Sequence, residues 1–200
     1  MIKNQIIIFK NDAVGDLTHS LPAINDIISN HKNHQIIIYL SERSKNFNFL
    51  IKGKNVLFKT INYNLNFFDK FKLIRIFFQN NIDKIFILSP KNFYFFLPFF
   101  FRSTKFYAIC DYKRPVKFLR KFLTKYVINH RDATYKRSSI SSMQLELVNN
   151  SSYNQVVNYN FKSTNSFLNR YMVKNYAYFH IKQKIISELN LSDKDLELLF

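Results

Sequence analysis

Gln5-Ile6-Ile7-Ile8-Phe9, then Lys10-Asn11-Asp12-Ala13-Val14-Gly15, then Asp16-Leu17-Thr18-His19-Ser20-Leu21-Pro22-Ala23-Ile24 is the stretch whose reading decides the fold. The first five residues are uncharged and mostly β-branched, the pattern of a buried strand. The next six read as a short loop carrying Gly15, one of only two glycines in the chain. From Asp16 the pattern turns helical, with Leu17, Leu21, Ile24 and Ile28 on one stripe. A strand, a glycine turn and a helix start present polar groups at the carboxyl end of a sheet, where open α/β sheets bind ligands.

Working outward, strand-like runs alternate with helical ones. Gln35–Tyr39, Val56–Phe58, Ile82–Leu88 and Phe106–Ile109 read as strands. Phe67–Phe78 reads as a helix with Phe68, Phe71, Ile74 and Phe78 on one side, and residues 135–150 as another. That alternation predicts an α/β fold, a Rossmann-like parallel sheet with crossover helices. Phe93–Phe101 is the most apolar segment, far shorter than the roughly 20 residues of a membrane span. It reads as a short helix buried against the sheet, or as a partly exposed aromatic wedge at a membrane interface. Residues 151–166 are rich in Ser, Asn and Tyr and read as a linker, followed by a new strand over Lys174–Ile181 and a helix start at Leu191–Asp195. The expected organisation is a domain over 1–165 and the beginning of a second, incomplete one over 166–200.

The net charge of +17 is partly a matter of composition, because Lys, Asn, Ile, Phe and Tyr all have AT-rich codons. It is also uneven. Residues 102–137 carry a dense run of lysine and arginine opposed only by Asp111 and Asp132. Such a segment is either a solvated surface or a face for an anionic membrane or phosphorylated glycolipid. The single cysteine, Cys110, excludes an intramolecular disulfide and a multi-cysteine metal site. The amino terminus lacks the three-part pattern of a signal peptide. With two glycines the chain builds neither a Gly-x-Gly-x-x-Gly turn nor a phosphate-binding P-loop, and no His/Cys cluster has zinc-ligand spacing.

Gly15-Asp16 followed by His19-Ser20-Leu21-Pro22-Ala23, directly after a first strand, resembles the amino-terminal signature of glycosyltransferase family 9, the lipopolysaccharide heptosyltransferases. The order of Ile82-Asp83 through Tyr112 is similar to that family's middle section. The resemblance implies a GT-B architecture of two Rossmann-like domains facing across a cleft. It implies inverting transfer of heptose from an ADP-sugar to a lipopolysaccharide-core acceptor at the cytoplasmic face of the inner membrane. The partners it implies are a nucleotide-sugar such as ADP-heptose, an anionic glycolipid and the membrane surface, with no metal or other cofactor. Nucleic acid is not among them.

The resemblance places the catalytic base on Asp16. An inverting transfer needs one base to take the acceptor's proton as its hydroxyl attacks the anomeric carbon. The alternative role of Asp16 is a cap or first-turn carboxylate of the helix. Gly15, in the turn, is a candidate for contact with the substrate. Asp12 either orients the acceptor or caps the turn. His19, one turn into the helix, either binds acceptor hydroxyls or is structural. Lys10 either meets an anionic acceptor or is solvated. Lys184, with His180, loosely resembles the family's donor-diphosphate loop, with Ile185 replacing the usual aromatic.

A reading from another class is a non-catalytic basic α/β domain that binds an anionic surface or nucleic acid. It rests on residues 102–137 and the interleaved Tyr107, Tyr112, Phe118, Phe122 and Tyr126. Their near-helical spacing among apolar residues points instead to core packing.

Overall fold

The computed structural model describes residues 4–111, 115–129 and 140–149. The expected linker, the strand and helix start beyond it, and the 166–200 domain lie outside the described residues.

Six strands form one sheet: β1 (Gln5–Lys10), β2 (Gln35–Leu40), β3 (Val56–Thr60), β4 (Ile82–Ile87), β5 (Lys105–Asp111) and β6 (Lys125–Asn129). Their order is β3-β2-β1-β4-β5-β6, and every pairing is parallel. The Ile-rich runs explain the centre. A parallel sheet covered on both faces must be apolar on both, and Ile6, Ile7, Ile8 and Phe9 are all fully buried. β1 lies in register with β2, Ile6 opposite Ile36 and Ile8 opposite Ile38.

Side chains alternate between the two faces. One face presents Ile7, Phe9, Ile37, Tyr39, Ile85 and Ile87 to Leu73 and Phe77 of helix α2 (Phe67–Gln79) and to Tyr94, Phe95 and Leu97. The other face carries Ile6, Ile8, Ile36 and Ile38, and helix α1 (Val14–Asn30) covers it with Leu17, Leu21, Ile24, Ile27 and Ile28. The His31 ring just past α1 sits edge-on to Phe86 of β4 at 6.3 Å, which fixes α1 on that side. Helix α5 (Ile140–Asn149) packs beside α1, tied by Ser141 Oγ to the His19 carbonyl at 2.7 Å and by Asn149 Nδ2 to Asp26 Oδ2 at 2.6 Å.

Four expectations need correction. Helix α1 begins at Val14, so Gly15 lies in its first turn and the loop is Asn11–Ala13. On α2 the buried residues are Leu73 and Phe77, while Phe68, Phe71 and Phe78 of the expected stripe are 80%, 62% and 72% exposed. An apolar pattern nearly all around the helix gives no unique face, and the lysines flank both choices. Phe93–Phe101 is both readings at once: a 3-10 turn over Asn92–Phe96 and a one-turn helix α3 (Leu97–Phe100) bury Tyr94, Phe95 and Leu97 but leave Phe96, Phe99 and Phe100 exposed. Tyr107 and Tyr126 stand on β5 and β6, and Phe118, on the one-turn helix α4 (Lys117–Arg120), is exposed, so these rings do not share a helical core face. Tyr112 lies outside the described residues.

The basic run is also divided. Arg120 donates from Nε to the Pro115 carbonyl at 3.1 Å and from Nη2 to the Asp111 carbonyl at 3.2 Å. Lys125 donates to the Glu146 carbonyl. Arg102, Lys105, Lys117 and Lys121 are exposed, and Lys113, Arg114, Arg131, Lys136 and Arg137 lie outside the described residues.

Candidate functional site

Connections run from β1 outward to β2 and β3 on one side and from β4 to β5 and β6 on the other. The order therefore reverses between β1 and β4, and the carboxyl ends of those two strands are where open α/β sheets bind ligands. Four loops, those after β1, β2, β3 and β4, are tied together along that edge, and the first turn of α1 follows the first of them.

Buried polar groups are concentrated at this edge. Lys10, the last residue of β1, is 2% exposed, and its ammonium pairs with Asp12 Oδ2 at 2.8 Å. Lys10 is therefore not the solvated cation that one sequence reading allowed. Its charge is held inside and fixes the carboxylate two residues on. The Asp12 backbone carbonyl accepts from Ser41 Oγ at 2.6 Å, and Ser41 is bonded in turn to Ser44 Oγ at 3.1 Å. Asp12 thus joins the loops after β1 and β2. Its side chain caps no helix, because α1 starts from Ala13 without a side-chain cap.

Asn11 is fully buried and links two more loops. It accepts from the Tyr94 hydroxyl at 2.9 Å and donates to the Asn62 carbonyl at 3.1 Å. Asn62 Nδ2 continues to Asp69 Oδ2 at 2.8 Å, in the capping box that starts α2. Tyr94 is stacked on Phe9 at 4.0 Å, and burial pushes the pKa of its phenol upward. Tyr39 is raised to about 12, also by burial. The Tyr39 hydroxyl, the Ser89 hydroxyl just past β4 and Asp12 Oδ1 are buried with no protein hydrogen-bond partner among the described residues.

Two cations stand on the rim around Tyr63. The Arg43 guanidinium lies 4.5 Å from the ring centroid and the Lys91 ammonium 4.0 Å, both within cation–π range. Lys91 also donates to the Tyr63 carbonyl. Burial lowers its pKa, the nearby Asp12 charge works the other way, and Arg43 adds to the lowering.

Asp16 is the third residue of α1 and is partly exposed. Among the described residues nothing engages its carboxylate: the bonds around it run from Ser20 Oγ to the Asp16 carbonyl at 2.9 Å and from Thr18 Oγ1 to the Gly15 carbonyl at 2.7 Å. The cap role is vacant and unfilled by Asp16. It is a first-turn carboxylate at the positive end of a helix, open to a ligand. His19 lies one turn further and is exposed beside α5. Lys184 lies outside the described residues, so the edge brings together Lys10, Asp12, Gly15 and Asp16 of the expected set, with His19 at its margin. Among the described residues no His, Cys, Asp and Glu cluster is arranged to hold a metal ion.

Asn11, Ser41, Arg43, Tyr63, Ser89, Lys91 and Tyr94 were not singled out from the sequence. Asn11 and Ser41 follow directly on a strand's last residue and Ser89 comes two residues after one, so reading the polar residue after an apolar run as an edge residue finds these three. Arg43, Tyr63, Lys91 and Tyr94 lie deeper in their loops.

No family model and no curated protein sequence matches the chain. Among solved structures it is similar to the glycosyl transferase family 9 protein from Veillonella parvula DSM 2008, at a TM-score of 0.54 and 11% identity, covering 96% of this chain and 51% of that one. Two further structures are E. coli heptosyltransferase WaaC with ADP, at a TM-score of 0.46 and 12% identity, and with ADP-2-deoxy-2-fluoro heptose, at 0.45 and 14%. Each covers 76% of this chain, which spans 49% and 50% of theirs. The fold is thus a Rossmann-like half of the kind seen in a family 9 glycosyltransferase, and the chain spans about half the length of that protein.

Proposed function

We propose that this chain is the acceptor-side part of an inverting glycosyltransferase of heptosyltransferase type. The observation that carries the reading is the Asp16 carboxylate, unengaged in the first turn of α1 at the edge where the strand order reverses. The Gly15-Asp16/Leu21-Pro22 resemblance and the fold likeness support it.

In this mechanism the acceptor hydroxyl lies within hydrogen-bond reach of Asp16. Asp16 takes its proton as the oxygen bonds to the anomeric carbon of a nucleotide-sugar such as ADP-heptose. The bond from that carbon to the diphosphate breaks on the opposite face, and the nucleoside diphosphate leaves with the electron pair. Configuration inverts through a transition state with oxocarbenium character. The Lys10–Asp12 pair holds the loop that precedes Asp16. Arg43 and Lys91 on the rim suit an anionic group on the acceptor. The proposed acceptor is a lipopolysaccharide-core glycolipid, reached at the cytoplasmic face of the inner membrane. Donor contacts by Lys184 belong to the same proposal.

The test is Asp16→Asn in protein made from the complete reading frame, followed as ADP released from an ADP-sugar with a lipopolysaccharide-core acceptor present. Loss of one general base lowers turnover by about 10²–10⁴, with the melting curve unchanged. A fully active variant refutes the assignment.

A further inference from the structure

Helix α2 starts with a complete capping box, yet only Leu73 and Phe77 of its thirteen residues are buried. Its outward arc carries Phe67, Phe68, Phe71 and Phe78 at 75%, 80%, 62% and 72% exposure. At about 100° per residue, Arg75 falls between Phe71 and Phe68, and Lys72 borders them. Both cations are exposed. The one acid on the helix, Asp69, is tied to Asn66 and Asn62 in the cap.

The aromatic surface does not stop at α2. Phe78 meets Phe101 at 4.9 Å, next in sequence to the exposed Phe100. Phe99 then meets Phe122 at 5.7 Å, and Phe122 meets the exposed Phe118 at 5.3 Å. Arg102, Lys117 and Lys121 are exposed along this continuation. All of it lies over one face of the sheet, the face that α2, α3 and α4 cover.

Soluble surfaces rarely gather so many rings, and a contiguous exposed apolar patch marks an interaction site. The chemistry of the patch selects the partner. Aromatic rings interleaved with lysine and arginine, with no free acid between them, match a bilayer interface with anionic headgroups. We propose that the outward face of α2, continued through Phe99, Phe100 and Phe118, docks the protein on an anionic lipid bilayer. The face starts beside the candidate site, because Asn62 bonds both to Asn11 of the site and to Asp69 in the first turn of α2. A lipid-borne acceptor would therefore be met where the protein touches the surface. The inference rests on the proposed acceptor class for that last point alone, and its test involves no sugar transfer.

The experiment is co-sedimentation of the full chain with phosphatidylcholine vesicles, with and without phosphatidylglycerol. Wild type binds the phosphatidylglycerol vesicles and binds neutral ones far more weakly. Phe68→Ser/Phe71→Ser/Phe78→Ser lowers binding at least tenfold, and Lys72→Gln/Arg75→Gln lowers it about fivefold per charge at low salt. Because these side chains are exposed, circular dichroism and the urea midpoint stay as in wild type. No binding by wild type, or undiminished binding by the phenylalanine variant, overturns the proposal. So does a concentration-dependent dimer that the phenylalanine variant dissolves while vesicles bind neither protein, because the face then belongs to a second copy. Vesicle binding together with an Asp16→Asn variant that keeps full transfer refutes the function proposed above and leaves the docking face standing; active protein that ignores vesicles does the reverse.

Discussion

The Lys10–Asp12 pair offers the sharpest test of how the edge is held together. Replacing Lys10 with Met keeps the length of the stem and removes the ammonium. Asp12 Oδ2 then loses its partner at 2.8 Å, and Oδ1 has none already. A carboxylate with 17% of its side chain exposed is left with no direct partner and only the more distant Lys91 charge. Breaking a buried pair by removing one partner costs roughly 3–5 kcal/mol. The residual exposure of Asp12 lets water reach it, which puts the expected loss near the lower end, about 3 kcal/mol. With a urea m-value of about 2 kcal/mol/M, the midpoint falls by about 1.5 M. Adding Asp12→Asn to Lys10→Met removes the orphaned charge, so the double variant is more stable than the single one. Urea unfolding followed by circular dichroism measures all four corners of the cycle. A Lys10→Met loss under about 1 kcal/mol, or a double variant less stable than Lys10→Met, refutes the argument that the buried charges depend on each other.

Tyr94→Phe removes the hydroxyl that Asn11 accepts from at 2.9 Å and leaves that buried amide oxygen unpaired, for an expected loss of about 1–3 kcal/mol in the same urea assay. His31 has its pKa lowered, chiefly by burial, with Lys84 and His34 adding to the effect against the Ile27 carbonyl and Asp83. Nδ1 meets the Ile27 carbonyl at 2.8 Å while Nε2 faces the Lys84 ammonium at 2.8 Å, an arrangement for the neutral ring. The unfolded chain takes up this proton first, so the contribution of His31 is complete above the ordinary value of 6.5 and is lost as pH falls below it. Melts at pH 7 and pH 5 should show a smaller acid-side drop in His31→Gln than in wild type. The Cys110 thiol is raised to about 11, first by burial, and is fully enclosed. A thiol reagent at neutral pH should therefore label it only in denaturant, and rapid labelling of native protein would contradict the packing of β5.

The centre of the fold was legible because its signals are local. Three isoleucine-rich runs, Ile6–Ile8, Ile36–Ile38 and Ile85–Ile87, read as strands buried on both faces, and Leu17, Leu21, Ile24 and Ile28 define one face of α1 without competition. The outer parts lacked that uniqueness. Lys125-Tyr126-Val127-Ile128-Asn129 becomes β6 only because β5 offers it an edge, and a short run capped by a lysine carries little sign of that. On α2, apolar residues occur on nearly every side, with Phe77 inward and Phe67, Phe68, Phe71 and Phe78 outward, so the period marks a helix but not its inner face. The site was half legible. Asp16 and Asp12 follow from the first strand–helix unit. Arg43, Tyr63 and Lys91 come together only when β2, β3 and β4 end at the same edge, and pairing order is not written in any one segment.

The misread face of α2 carries the more general lesson. A phenylalanine on a helix is ordinarily taken as core, because burying it contributes roughly 1.5–3 kcal/mol. Here Leu73 and Phe77 suffice to seat the helix, with Ile74 and Ile76 packed alongside. The remaining rings are surplus to folding and interleaved with cations. Substituting them should therefore leave stability within about 0.5 kcal/mol of wild type, as for ordinary surface changes, whereas Leu73→Ala should cost about 2–5 kcal/mol. Equal losses at Phe71 and Leu73 in urea unfolding would mean that the face is covered after all, and the docking proposal would fall with it.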